Sequence, residues 1–263
     1  MNTIGNDTII VRKAWTALWR IHKETGNIKD HVVWLKPIIQ DYMDPIYFSA
    51  LIYAVNQGHD VGHFIDSLSP NQTLCKDWLK DELKKVLDSD KVKWHYAELD
   101  PPIGKRVQIY GGWYGYPMID NLLKIIDKVD FIENIDMDPN AIDLCKRIRE
   151  YKNFNEKTTP RIFGTLGNVL DNNIRQSDLD IVINTSSEHM PPLPEILKDK
   201  NPRKECLYVL QSNNMHHIEE HINCVENVDE LVESSGIKKV FYKGTKTMPN
   251  GYQRFMVIGQ CAE

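Results

Sequence analysis

The stretch Val107-Gln-Ile-Tyr-Gly-Gly-Trp-Tyr-Gly115, followed by a helical pattern over residues 119–126, decides the fold of this chain. A short apolar run that ends in glycines and opens a helix is typical of an α/β protein, because glycine lets the backbone turn tightly and approach a ligand. The helix N-terminus that follows offers unpaired N–H groups. The stretch predicts a first strand with a binding loop at its end, although a tight turn that binds nothing fits the same residues.

Strands and helices continue to alternate after this turn. Further strands are predicted over residues 129–135, 161–164, 179–184 and 206–211, and a helix over 140–151. This alternation favours a parallel sheet built by right-handed crossovers. Near the end of the chain, Pro249-Asn-Gly251 separates two apolar runs, which is a strong hairpin signal. We therefore predict an α/β fold: a Rossmann-like, mostly parallel sheet with a C-terminal antiparallel hairpin.

The first hundred residues have a helical pattern instead. Helices are predicted over residues 8–22, 46–55 and 71–87, with Asp44-Pro45 opening the second as N-cap and first helical residue. In the third, Trp78 is expected to pack in the core, while Gln72 and Lys76 are candidates for lid contacts. Polar residues with two prolines follow. We place a helical N-terminal cap or substrate region at 1–100 and the Rossmann-like domain at 101–263.

Composition and charge narrow the function classes. The 263 residues carry 32 Lys and Arg against 37 Asp and Glu, a formal net charge of −5, which disfavours a surface that coats nucleic acid. The longest apolar stretch, residues 46–55, is too short to cross a membrane. The five cysteines are widely spaced, and the N-terminus has no signal-peptide pattern. We expect a reduced, cytoplasmic protein without a membrane span, and homo-oligomerisation is left open.

Four segments together resemble the successive motifs of class I S-adenosylmethionine-dependent methyltransferases. They are residues 107–115, Ile135-Asp-Met-Asp-Pro-Asn-Ala-Ile142, Gly167-Asn168 and Leu179-Asp-Ile-Val-Ile-Asn184. The resemblance covers about residues 106–260, and the terminal hairpin is similar to the last strands of that fold. Residues 183–190, 209–214 and 254–259 also look like a phage-type methyltransferase-like subgroup. The resemblance implies S-adenosylmethionine as the cofactor.

The resemblance also assigns cofactor contacts. It implies that Gly111, Gly112 and Gly115 line the methionine moiety and that Asp136 binds the ribose hydroxyls. The position of Asp136, about 20 residues after the glycines, agrees with this role. Asn168 stands where the family often has an Asp that contacts adenine.

Two further residues are predicted to contact the cofactor, and one neighbouring residue is predicted to contact the substrate. The Tyr-Gly-Gly-Trp turn departs from the family pattern, so that Trp113 or Tyr114 would place an aromatic face near the sulfonium. We count Trp113 and Asn184 with the cofactor contacts and Tyr114 with the substrate contacts.

The segment Asn184-Thr-Ser-Ser-Glu-His-Met-Pro-Pro192 is the most distinctive part of the sequence. It follows the fourth strand, at the edge where an open α/β sheet binds its ligands, and it concentrates polar groups. We predict Glu188 and His189 as catalytic residues, either of which could remove a proton from the acceptor, and Ser186 as a substrate contact. Alternatively, His189 only orients the loop, and Glu188 serves as an ion pair or cap.

The end of the fifth strand is the remaining polar region. We predict that Gln211, Asn213, Asn214 and His221 contact the substrate. A metal site made from His216, His217, His221 and Glu220 is a weaker alternative, because no helix context supports the spacing, and we expect no metal.

These residues predict methyl transfer to O or N of a polar small molecule. The loop after the fourth strand lacks the Asp/Asn-Pro-Pro-Tyr/Phe sequence that binds an extruded base, and it lacks Pro-Cys, so nucleic acid is an unlikely substrate. Alternatives are aminocarboxypropyl transfer or lyase chemistry with the same cofactor, a non-catalytic binding or regulatory module, and a nicotinamide dehydrogenase, for which the glycine spacing is wrong.

Overall fold

The computed structural model describes residues 24, 44–92, 94, 104–153, 160–171, 174 and 178–261. They form a seven-stranded sheet in the order β3-β2-β1-β4-β5-β7-β6. The helix predicted over 8–22 and most of the predicted domain boundary lie outside these residues. The strands are β1 (Lys105–Tyr110), β2 (Val129–Asp136), β3 (Arg161–Leu166), β4 (Ile181–Asn184), β5 (Leu207–Asn213), β6 (Lys239–Thr247) and β7 (Gln253–Gln260).

The sheet is parallel from β1 to β5 and antiparallel at its C-terminal end. Strand β7 pairs antiparallel with both β5 and β6, which confirms the predicted hairpin. In register, Tyr110 at the end of β1 lies beside Ile135 of β2 and Asn184 of β4. Strand β1 therefore lies between β2 and β4, and the strand order reverses at this point. The carboxyl ends of the parallel strands meet at one edge of the sheet, which is where open α/β sheets bind ligands.

Helices flank the sheet and precede it. Helix α1 opens as predicted, because the Asp44 side chain accepts a hydrogen bond from the Ile46 N–H, and it ends at Gly58 with φ +74°. The short helices α2, α6 and α7 were not predicted. Among the described helices, none is long and apolar enough to cross a membrane. The helices are α1 (Pro45–Gln57), α2 (Val61–Ser67), α3 (Pro70–Leu87), α4 (Met118–Ile125), α5 (Pro139–Tyr151), α6 (Leu193–Leu197) and α7 (Val228–Ser235).

The N-terminal helices pack on the sheet in a shared hydrophobic core. Leu51 of α1 and Leu79 of α3 are fully buried in the same cluster as Ile109 of β1 and Ile258 of β7. The predicted packing role of Trp78 is confirmed, because its buried indole N–H donates to a tyrosine hydroxyl on β6. Since α2 leads directly into α3, this packing holds the helices α1 to α3 against the sheet.

Candidate functional site

A cavity of about 580 Å³ opens at the carboxyl ends of the parallel strands. Its size lies within the range of small-molecule sites. The turn after β1, the end of β2 and the segments after β3 and β4 line it, as do side chains from α2, α3 and β7. The cavity therefore lies at the sheet edge that was predicted to bind ligand, and helices α2 and α3 form part of its wall.

The glycine turn after β1 leaves little room for a side chain at Gly111 and Gly112. Gly111 has φ +55°, and a Cβ there would lie 2.2 Å from Met190 Cε. A Cβ on Gly112 would lie 2.0 Å from Asn134 Oδ1 and 2.6 Å from Ile109 Cγ2. The Asn134 amide donates to the Trp113 carbonyl at 2.8 Å, which leaves it little freedom to move away.

We expect Gly112→Ala to lower the free energy of unfolding by about 1–3 kcal/mol, because the added methyl group overpacks the turn. Gly164→Ala on β3 is the matched control, since the nearest atoms to its Cβ would be 3.4 Å away. Urea unfolding of both variants checks this. Equal stability of the two variants would contradict the role assigned to this turn.

Asp136 ends β2 inside the cavity and fixes the glycine turn. One carboxylate oxygen accepts from the Trp113 N–H at 2.7 Å, and the other accepts from the Asp138 N–H at 2.9 Å. Burial raises the pKa of Asp136, against the lowering effect of these backbone hydrogen bonds. Each carboxylate oxygen retains capacity for a further hydrogen bond, so that the side chain can accept from a ligand hydroxyl.

Glu188 is buried in the wall of the cavity and is paired with a cation from β7. Its Oε1 lies 2.6 Å from Arg254 and accepts from the Asn213 amide at 2.8 Å. Glu188 is 4% exposed and Arg254 is 7% exposed. Arg254 also donates to the Thr185 carbonyl, and nearby Glu188 raises the pKa of Arg254 despite its burial. This ion pair attaches the loop after β4 to the C-terminal hairpin.

His189 lies on the cavity wall next to Glu188 and is exposed. Its Nδ1 lies 3.2 Å from the Glu220 carbonyl oxygen, and its ring meets His221 edge-on with the centroids 4.5 Å apart. Because a carbonyl only accepts, this hydrogen bond places the proton of the neutral ring on Nδ1 and leaves a lone pair on Nε2. Burial and the neighbouring His189 lower the pKa of His221.

Helices α2 and α3 contribute four side chains to the cavity. His63 and Asp66 come from α2, and Gln72 and Lys76 come from α3. Lys76 is buried, and its ammonium donates to the Ser67 carbonyl at 3.2 Å. Burial lowers the pKa of Lys76 to about 8. Gln72 and Lys76, which the sequence offered as candidate lid contacts, both line this cavity.

The structure brings eight of the predicted site residues to the cavity. They are Gly111, Gly112, Trp113, Asp136, Asn168, Ser186, Glu188 and His189. Gly115, Tyr114, Asn184, Gln211, Asn213, Asn214 and His221 are not among the described residues that line it.

These other residues make internal contacts. Tyr114 is buried against Phe64 with the ring centroids 5.2 Å apart. Asn184 accepts from the Ser186 N–H, and Asn214 accepts from the Gln253 N–H. Gln211 donates to the Cys75 carbonyl on α3. These contacts support the loops around the cavity.

Four further residues line the cavity that were not predicted from the sequence: His63, Asp66, Met190 and Arg254. A signal existed only for Arg254, since a charged residue opens the apolar run 255–258 and charges are rarely buried without a partner. The other three carry no spacing that separates them from ordinary helix or loop residues.

Comparisons with known proteins identify the fold. No protein-family model and no curated protein matches the chain. Among solved structures, it is similar to a geranyl diphosphate methyltransferase in complex with S-adenosylmethionine: 12% identity, TM-score 0.51, 73% of this chain and 86% of that chain. It is also similar to a putative sarcosine dimethylglycine methyltransferase from Galdieria sulphuraria: 11% identity, TM-score 0.50, 73% and 86% covered.

A third similar structure is the geranyl diphosphate C-methyltransferase from Streptomyces coelicolor A3(2): 10% identity, TM-score 0.50, with 73% of this chain and 79% of that chain covered. At these identities, the likeness concerns the fold. The chain has the Rossmann-like fold of S-adenosylmethionine-dependent methyltransferases.

Proposed function

We propose that this protein is an S-adenosylmethionine-dependent methyltransferase that acts on O or N of a polar small molecule. The observation that carries the proposal is the edge where β1 and β2 end, where the Gly111-Gly112 turn and Asp136 line one cavity together with the loop after β4. Structures that share this fold include a methyltransferase with S-adenosylmethionine bound.

The residues present fit this cofactor. A Cβ at Gly111 would collide with Met190, and a Cβ at Gly112 would collide with Asn134. Glycine at both positions therefore lets the backbone of the turn line the cavity without a side chain. Asp136 can accept from the ribose hydroxyls with its remaining lone pairs. Asn168 accepts from the Leu170 N–H through Oδ1, which leaves its amide NH₂ group as a donor to adenine. Trp113 supplies an aromatic ring at the same wall.

When bound, S-adenosylmethionine supplies an electrophilic methyl group on a sulfonium. The protein then has to orient an acceptor and move one proton. We assign the proton transfer to Nε2 of His189, whose other nitrogen is held by the Glu220 carbonyl. Glu188 holds the loop through Arg254 and Asn213 and stays the second candidate for the base. Ser186, which also lines the cavity, remains a proposed acceptor contact.

The shape of the cavity favours a small acceptor. The cap side chains His63 and Lys76 lie on the same cavity as Asp136 and His189, so the space is bounded by both parts of the chain. Together with the net charge of −5, this supports a polar small molecule over a nucleic acid.

We expect Asp136→Ala to weaken S-adenosylmethionine binding by about 10- to 100-fold, because hydrogen bonds to a charged acceptor contribute about 1.5–3 kcal/mol. Isothermal titration calorimetry measures this. Asp138→Ala is the matched control: Asp138 caps α5 by accepting from the Asn140 and Ala141 N–H groups, so its loss costs about 1 kcal/mol of stability and leaves the affinity unchanged.

The pH dependence gives a second control for Asp136. Protonation removes an acceptor oxygen, so the affinity of the wild type should fall as the pH drops through the raised pKa of Asp136. Asp136→Asn should bind weakly with little of this dependence. An unchanged affinity in Asp136→Ala would remove the proposed ribose site.

A further inference from the structure

Three metal-ligand side chains meet beside the cavity in a cluster that the methyltransferase fold does not require. One atom each of Glu188, His189 and His221 lies within 4.8 Å of the other two. Glu188 and His189 share the short helical turn after β4, and His221 comes from the segment after β5. The fold therefore joins residues 32 positions apart into one site, which the sequence did not indicate.

Glu188 and His189 are each held through one atom, which leaves a second atom available as a ligand. Oε1 of Glu188 is taken by Arg254 and Asn213, whereas the buried Oε2 has no hydrogen-bond partner among the described residues. His189 donates through Nδ1 to the Glu220 carbonyl, which is the arrangement that orients metal-binding histidines. A buried carboxylate oxygen without a donor is costly, and a cation would satisfy it.

We propose that Glu188, His189 and His221 bind one divalent first-row transition-metal ion. Two histidines and one carboxylate, with open coordination positions, are the ligand set of catalytic zinc sites and of non-haem iron sites. Ligand atoms that lie about 2.1 Å from one ion are about 3.0–3.6 Å apart when the bond angles are about 90–120°. The three ligand atoms of the cluster lie within 4.8 Å of one another, so ion binding would draw them closer together.

Neighbouring groups define the limits of the site. The Cys224 thiol lies 3.6 Å from Nδ1 of His221 and donates to Asn213. Cys224 is not one of the three side chains in the cluster, so it is not counted as a ligand. The positive charge of Arg254 lies next to the cluster, because its guanidinium is paired with Glu188. This charge will weaken ion binding by electrostatic repulsion.

The role of the ion in catalysis rests on the proposed function, although ion binding does not. An open position next to the cavity would take an oxygen of the acceptor and lower the pKa of its proton. In that case Nε2 of His189 is a ligand, and the proton goes to water. The two roles of His189 therefore exclude each other, and an ion titration decides between them.

The test is a titration of the full chain with Mn²⁺, followed by the EPR signal of the free ion. Mn²⁺ prefers harder ligands than thiolates, which limits binding to the five cysteines. We expect saturation at one ion per chain in the wild type and at least tenfold weaker binding in His189→Ala and His221→Ala. His217→Ala is the control, because His217 is exposed and lies outside the cluster.

A second variant, His221→Gln, keeps the volume of the side chain if His221→Ala does not fold. Equal Mn²⁺ affinity in the wild type and the His221 variants, or no saturable binding in the wild type, would overturn the proposal. S-adenosylmethionine is titrated into the same samples. Cofactor binding without ion binding would reject only the metal site, and ion binding without cofactor binding would reject only the proposed function.

Discussion

Arg254→Met is expected to lower the free energy of unfolding by about 3–5 kcal/mol, because it leaves the Glu188 carboxylate buried without its cation. Both side chains are almost fully buried, and their charged atoms are 2.6 Å apart. The substitution also removes the donor to the Thr185 carbonyl. The loop after β4 would therefore lose its attachment to β7, and ligand binding should weaken along with stability.

Urea unfolding of three variants tests this. The double variant Glu188→Gln/Arg254→Met should recover much of the lost stability, because no unpaired charge remains. Lys84→Ala removes an exposed ion pair with Asp88 on α3 and should change stability by less than about 1 kcal/mol. If Arg254→Met is no less stable than Lys84→Ala, the buried ion pair does not hold the loop.

His189→Ala is expected to reduce turnover by about 100- to 10,000-fold, the usual contribution of a positioned proton-transfer group. Binding of S-adenosylmethionine should stay within about twofold of the wild type, because the predicted cofactor contacts that line the cavity lie on the turn after β1, at the end of β2 and directly after β3. The measurement is S-adenosylhomocysteine formation with an acceptor found by screening polar small molecules.

The control for this variant is His217→Ala, which changes an exposed histidine outside the cavity and should turn over like the wild type. Preserved turnover in His189→Ala would remove His189 from the proposed mechanism and leave Glu188 as the candidate. Mass analysis of the products separates methyl transfer from aminocarboxypropyl transfer, because different groups are added to the acceptor.

The sheet could be predicted because its signals are local. The apolar run before Gly111 and the Asn250-Gly251 turn each specify a conformation within a few residues, and both appear in the structure. The N-cap at Asp44 is equally local. Short helices such as α2, with seven residues, carry too few turns for a periodic pattern.

The site was harder to predict because it depends on pairs distant in sequence. Glu188 and Arg254 are 66 positions apart, and neither position reveals the other as its partner. Asn213 was predicted to contact substrate. Instead, its side-chain NH₂ group donates to Glu188, and its side-chain oxygen Oδ1 accepts from the Met215 N–H. A polar residue at a strand end can support a loop, as Asn213 does, or face a ligand, and composition does not separate the two.

The most direct test of the proposed function is isothermal titration of the wild type with S-adenosylmethionine and S-adenosylhomocysteine, with NADH as the control. We predict saturable, micromolar binding of S-adenosylmethionine and S-adenosylhomocysteine at one site per chain, and no binding of NADH. In Asp136→Ala, binding of both sulfur compounds should be lost or strongly weakened. No binding of either sulfur compound, or tighter binding of NADH, would contradict the proposed function.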